Sequence, residues 1–195
     1  SDTARRSAKP VVLARGRVLR VSVHCDGVEL RHYNIHNHGL SKRQMGVIMQ
    51  YLSQDTKWAQ ASPSDRLLIV AGDMNFTSLS KLDLAHPRQR QQEQHNAGRY
   101  HAHIWRQALD VLTEIHMDEP TFFCKDSGKL SAIDRIWTAT PSWMVCQLSF
   151  HGSVIARPED LHDKGISDHA AVKVVIRRRP PRQPQQQWFP RAVFL

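Results

Sequence analysis

Cysteine is scarce in this chain: Cys25, Cys124 and Cys146 are an odd number in 195 residues, and no pair has C-x-x-C spacing. That argues against a disulfide framework and against a cysteine-based zinc site, so no disulfide partner is expected. A reducing, intracellular compartment, nuclear or cytoplasmic, fits this usage. Long apolar runs are missing too. Nothing approaches the ~20 residues that span a bilayer. Ser1-Asp2-Thr3-Ala4-Arg5-Arg6 is not followed by an apolar signal core, so the chain reads as soluble, with no membrane partner. It opens on Ser rather than Met, as a processed piece or a fragment of a longer reading frame would. Acidic residues are in deficit, 18 Asp+Glu against 27 Lys+Arg, for a formal net charge of +9. Such a balance favours polyanionic partners, nucleic acid first. Part of the excess sits in Arg177, Arg178, Arg179, Arg182 and Arg191, which a solvated linker would also carry.

What is present is ordinary globular composition, 41% hydrophobic and 23% charged, enough for one domain with a sizeable core. Two β-like runs, Arg17–Val23 and Val28–Tyr33, flank Cys25-Asp26-Gly27, where Asp-Gly marks a hairpin turn. The second run continues into Asn34-Ile35-His36. Ser41 and Gln44 make a capping box, and Met45, Ile48, Met49 and Leu52 then recur at helical spacing, so 41–60 is expected as an amphipathic helix. Leu67–Ala71 is too short an apolar run for a helix and reads as a strand buried on both faces. Residues 77–103 are polar and read as a surface excursion. A helix follows near 103–116, built on Ile104, Trp105, Leu109, Leu112 and Ile115, with strands at 121–124, 132–138, 143–150 and 169–177. That order predicts an α/β (α+β) layered protein with much antiparallel pairing. From Arg178 on, Pro180, Pro181, Pro184 and a Gln run prevent a regular element. Residues 178–195 therefore read as a linker or tail. Trp188, Phe189, Val193 and Phe194 at its end suit contact with a downstream domain of a longer polyprotein.

Three short segments carry the chemistry. Gly72-Asp73-Met74-Asn75 closes the apolar run, and a strand period of two would put Asp73 and Asn75 on one side of the sheet edge. There a carboxylate can orient or deprotonate water, and a neutral amide can donate to a phosphoryl oxygen without adding charge. A plain turn is the other reading. Asp134 stands between Ile133 and Ile136, where an apolar residue is expected, and so needs a partner. An ion pair with Arg135 is disfavoured, because neighbours in a strand face opposite ways. Ser167-Asp168-His169 precedes an alternating strand and offers a side chain that titrates near neutrality beside a hard-cation ligand. Asn34 and His36, two apart, share a face if they lie in a strand, and His38 alternates onto the same face. His86, His95, His101, His103 and His116 have no recognised ligand spacing and read as solvated surface. Trp58, Trp105, Trp137 and Trp143 read as core or subcore aromatics.

Gly-Asp-x-Asn, the mid-chain Asp134, Ser-Asp-His and the upstream Asn-Ile-His occur in an order that resembles the endonuclease/exonuclease/phosphatase superfamily, the DNase I-like fold. The resemblance runs from about Arg17 to Arg177. It implies a four-layer α/β sandwich of mixed, largely antiparallel sheets, present here only in part. The superfamily's early Asn and its metal-binding Glu are not recognisable, so 1–177 would be a domain lacking its first third. It further implies metal-dependent phosphodiester hydrolysis with Mg²⁺, or Mn²⁺ in its place. In that scheme Asp73 and His169 handle the water, Asp134 orients His169, and His36 assists the leaving oxygen. Asn34 and Asn75 contact substrate, and Asp168 lies by the metal. DNA is the implied substrate, and the Pro-rich basic extension is similar to the endonuclease module of non-LTR retrotransposons. Two alternatives stand beside this reading: an impaired remnant that binds nucleic acid through its basic residues, and a phosphatase or phosphodiesterase acting on inositol phosphates or phospholipid headgroups.

Overall fold

The computed structural model describes residues 8–25, 27–62, 65–76, 102–117, 119–139 and 148–178. Ten strands and three helices follow in chain order: β1 (Ala8–Ala14), β2 (Val18–Cys25), β3 (Val28–His36), α1 (Lys42–Ala61), β4 (Arg66–Asp73), α2 (Ala102–Leu109), β5 (Thr113–Ile115), β6 (Phe122–Cys124), β7 (Lys129–Ser131), β8 (Asp134–Thr138), β9 (Leu148–Val154), α3 (Pro158–Asp163) and β10 (Val172–Arg178). Among the described residues no helix is long and apolar enough to cross a membrane.

A six-stranded mixed sheet in the order β1-β2-β3-β4-β8-β5 forms the centre. Only β3 and β4 run parallel, because the chain between them crosses over through α1. The helix starts where the capping box places it: the Ser41 hydroxyl accepts from Gln44 N at 3.2 Å and the Gln44 side chain accepts from Ser41 N at 2.8 Å. Its apolar stripe of Met45, Ile48, Leu52 and Ala59 is buried on the sheet with Tyr33, Ile35, Leu68 and Val70, and α2 adds Trp105 and Leu109.

Alternation along the strands sends the other side chains to the opposite face. There Ile69 and Ala71 of β4, Ile115 of β5 and Ile136 of β8 meet Val172 and Val174 of β10. The β9–β10 sheet lies on this second face, which gives three stacked layers: helix, large sheet, small sheet. β4 is accordingly not buried on both faces. Leu68 and Val70 are fully covered by helix, while Leu67, Ile69 and Ala71 are half-buried, since the small sheet covers less than a helical layer does.

Several elements depart from the sequence expectation. The expected helix at 103–116 ends at Leu109, and Thr113–Ile115 pairs with β8 instead. β-branched residues and an open sheet edge outweigh the helical spacing of Leu112 and Ile115. β1, β7 and α3 add elements where none was expected. β10 runs through Arg178, so Arg177 and Arg178 belong to a strand rather than to a tail. The rest of the tail, Trp143, Cys146, His86, His95 and His101 lie outside the described residues. Trp105 and Trp137 are core, and Trp58 is half-buried with the Arg31 guanidinium 3.7 Å over its ring.

A polar knot underlies the helical layer. Asp55, 3% exposed, accepts from Arg20 Nε at 2.6 Å, Arg31 NH1 at 2.6 Å and the Tyr33 hydroxyl at 2.6 Å. Burial pushes the Asp55 carboxyl up, but its hydrogen bonds from Arg20, Tyr33 and Arg31 outweigh that and hold it below the usual carboxylate range.

Candidate active site

The ends of β3 and β4 and the start of β8 lie side by side, because β3 and β4 are parallel and β8 runs antiparallel to them. In register, His36 pairs with Asp73 and Asp73 pairs with Asp134. Three ionisable side chains distant in sequence thus reach one sheet end.

His169 arrives from another direction. It bridges to Phe122 of β6, its ring tilts against the Phe122 ring at 4.8 Å between centroids, and Phe123 N donates to Asp168 O at 2.9 Å. Thr121, fully buried, ties this segment to β8. Its hydroxyl accepts from Asp134 N at 3.0 Å and Ile133 N at 3.2 Å, and its carbonyl accepts from Ala170 N at 2.8 Å. Sequence reasoning missed Thr121. Its only signal is a small hydroxyl residue opening the strand before the Asp134 segment.

His169 Nδ1 lies 3.0 Å from Asp134 Oδ2. An ionised Asp134 accepts, so Nδ1 carries the proton and Nε2 presents its lone pair to the site. That Nε2 is 4.0 Å from Asp73 Oδ2, and His36 Nε2 is 3.8 Å from the same oxygen. Asp73 is the hub of the group. Burial pushes its carboxyl above the ordinary range; the Asn75 N–H bond pulls it down and the Asp134 charge pushes it up again. The hydrogen bond to Asp134 raises His169, against the desolvation that lowers it. His36 is lowered, first by burial and then by the neighbouring Arg17 charge, although Asp73 acts the other way.

Asp73 and Asn75 do not share a side by strand alternation. β4 ends at Asp73. Asn75 has φ 56°, and its N–H donates to Asp73 Oδ1 at 2.9 Å, a turn closed by the carboxylate itself. Turn and site are therefore the same object. The Asn75 amide donates to Asn37 O at 3.3 Å, while Asn37 N donates to Asp73 O at 2.8 Å and the Asn37 amide to Met74 O at 2.7 Å. These bonds clamp the segments after β3 and β4 together. Gly72 is required for the approach: a Cβ there would lie 1.9 Å from Ile35 O.

Asn34, exposed, lines with His36, Asp73, Asp134 and His169 a groove of about 790 Å³ over the second sheet face. Asp168 is exposed beside His169 and is not part of that lining. His38 stacks on His36 at 6.0 Å, one step beyond the strand end, so His36 is the histidine facing Asp73. Arg135 points to the helical face and pairs with Glu114 at 2.6 and 2.7 Å, leaving Asp134 to His169. Another groove, about 410 Å³ between α1 and α2, has Lys57 as its only titratable lining residue and offers no comparable chemistry.

Among the described residues no group of three or more His, Cys, Asp or Glu side chains is placed to hold a metal ion. The set gathered here fits proton transfer and hydrogen bonding to an anion. It does not by itself fit a magnesium centre.

No protein-family model matches the chain, and no curated protein matches it in sequence. Solved structures do. The AP endonuclease LMAP from Leishmania major superposes with a TM-score of 0.56 at 16% identity, over 89% of this chain and 60% of that one. An endonuclease/exonuclease/phosphatase family protein from Leptotrichia buccalis gives 0.47 at 15%, over 82% and 52%. The endonuclease domain of TRAS1, a telomere-specific non-LTR retrotransposon, gives 0.44 at 17%, over 90% and 69%. The chain spans between half and about two thirds of these structures' lengths. On the Leishmania superposition, the chain has the DNase I-like α/β fold of endonuclease/exonuclease/phosphatase proteins.

Proposed function

We propose that the sheet end carrying His36, Asp73, Asn75, Asp134 and His169 hydrolyses a phosphodiester bond of DNA. The Asp134–His169 pair at 3.0 Å, with its free nitrogen 4.0 Å from Asp73, supports this reading most directly. That separation accommodates one water hydrogen-bonded to both His169 Nε2 and Asp73 Oδ2. The water oxygen attacks phosphorus, its proton passes to His169 Nε2, and the imidazolium that forms is stabilised by Asp134. As the P–O bond on the far side breaks, the leaving oxygen accepts a hydrogen bond from the His36 imidazole and takes its proton from solvent. Burial lowers His36, which favours the neutral ring, and the Arg17 NH1 group lies against both ring nitrogens, 2.9 Å from Nδ1 and 3.3 Å from Nε2. Asn34, exposed on the groove wall, and the second amide hydrogen of Asn75 serve the phosphoryl oxygens. Asp168, exposed beside His169, is the single carboxylate there that a divalent cation could reach, and it would not hold one alone.

The net charge of +9 supports DNA as substrate class, as does the fold shared with an AP endonuclease. Residues up to Arg178, the end of β10, then form an incomplete nuclease domain with a basic tail after it, in an intracellular setting. Nicking of supercoiled plasmid that disappears in His169→Ala is the expected result. Phosphate release from a soluble monoester, with no nicking, would replace this reading with a phosphatase.

A second reading rests on one observation, that no three-donor metal group occurs among the described residues: a remnant that binds nucleic acid without cutting it. It predicts steeply salt-dependent duplex binding, abolished by deleting 178–195, with no nicking under any divalent ion.

A further inference from the structure

Arg17 belongs to none of the motifs above, yet it extends the site by one strand. It closes the turn from β1 to β2, with its N–H donating to Ala14 O at 2.9 Å and Gly16 supplying the φ of 67° that the turn needs. β2 pairs Val18 with Ile35 of β3, so Arg17 falls opposite His36, and its carbonyl accepts from His36 N at 2.7 Å. Its guanidinium NH1 reaches His36 Nδ1 at 2.9 Å and Nε2 at 3.3 Å. Across the sheet end the order is Arg17, His36, Asp73, Asp134.

Three other arginines of the large sheet show the contrast. Arg20 and Arg31 are bound to Asp55, and Arg135 to Glu114. Among the described residues no carboxylate pairs with Arg17. A neutral ring nitrogen uses one of its five N–H donors and offsets none of its charge. A diester anion entering this site meets the carboxylates of Asp73 and Asp134, and Arg17 is the cation that touches the set.

Resting on the phosphodiesterase reading, we propose that Arg17 binds a non-bridging oxygen of the substrate phosphate on the His36 side of the site, and that His36 holds the guanidinium in place until the phosphate arrives. A planar fork of donors suits a phosphate better than a point charge does. Arg17 then decides how strongly the phosphate is held, while His169 and Asp73 act on the water.

The test is a titration of inorganic phosphate into the full chain, observed at the His36 ring by NMR. In the wild type phosphate shifts the His36 resonances. In Arg17→Gln the apparent affinity falls about tenfold, the scale of one lost charge-assisted hydrogen bond. Arg17→Lys recovers part of it, and Arg15→Gln, an exposed arginine of the same turn, leaves it unchanged. Phosphate that does not shift His36, or that binds Arg17→Gln as well as wild type, overturns the proposal, as does an equal loss in Arg15→Gln. Duplex binding separates this from the function reading: Arg17→Gln lowers the slope of log affinity against log salt by about 0.9. A chain that binds phosphate through Arg17 but does not bind duplex would contradict DNA as substrate and leave the Arg17 site standing.

Discussion

Asp73 and Asp134 are cross-strand partners on β4 and β8, two carboxylates held at one sheet end, of which only Asp134 has an imidazole within hydrogen-bond distance. Asp73 bears the cost. Its carboxyl is raised by burial and by the Asp134 charge, so the fold prefers it protonated. A group raised in the folded state contributes stability that is full below its unfolded value, near 3.8, and lost as pH rises through the folded one. At neutral pH the ionised Asp73 therefore destabilises the protein. Asp73→Asn, which keeps an acceptor for Asn75 N–H, should unfold at a higher temperature than wild type at pH 7, with the gap closing on acidification. Any hydrolytic activity should fall by about 10²-fold or more.

The opposite partner gives a titration prediction. His169 is raised by its hydrogen bond to Asp134, so its stabilising charge is full below about 6.5 and fades as pH rises through the folded value. Asp134→Asn removes that anion. The His169 ring should then titrate at lower pH by NMR, and the acid limb of the activity profile should move with it. An unchanged His169 titration would mean the 3.0 Å contact does not persist in solution.

Asp55 holds the helical layer. Its depressed carboxyl contributes stability above the unfolded value, near 3.8, that is lost as pH falls toward the folded one. Asp55→Ala leaves Arg20, Arg31 and Tyr33 without their shared acceptor and should cost about 3–5 kcal/mol. Tyr33→Phe, losing one bond to that carboxylate, should cost about 1.5–3 kcal/mol. Urea unfolding of the two variants gives the ratio.

Gly72→Ala should be among the most damaging single substitutions. The added methyl would meet Ile35 O at 1.9 Å, and the residue keeps a φ of 141° that side chains rarely adopt. Relief requires β3 and β4 to part, which separates His36 from Asp73. We expect a loss of more than about 3 kcal/mol, seen as a lower denaturant midpoint, together with loss of any activity.

Short-range signals in the sequence carried over well, because local chemistry determines them. The Ser41–Gln44 cap, the hairpin before β3 and the end of β4 at Gly72-Asp73 need only nearby residues. Asp134 was conspicuous as a carboxylate in an apolar strand, and His169 is the group that satisfies it. What did not show were features created by distant pairing. Thr113–Ile115 becomes a strand because β8 presents an edge to it. Thr121 matters through backbone groups at 133, 134 and 170. Arg17 is placed by the turn of a strand, β1, that no periodicity marked, and Asn75 reaches the site by a left-handed turn rather than by strand alternation.

The measurement that tests the account most directly is plasmid nicking by the 195-residue chain in excess over substrate, with Mg²⁺ present, compared with His169→Ala and Asp134→Asn. Lacking a three-donor metal group among its described residues, the chain should cut slowly, about 10–100-fold or more below a complete nuclease of this fold. His169→Ala should reduce even that rate by about 10²–10⁴-fold. Nicking that persists undiminished in His169→Ala would contradict the assignment of the Asp134–His169 pair as the machinery of the reaction.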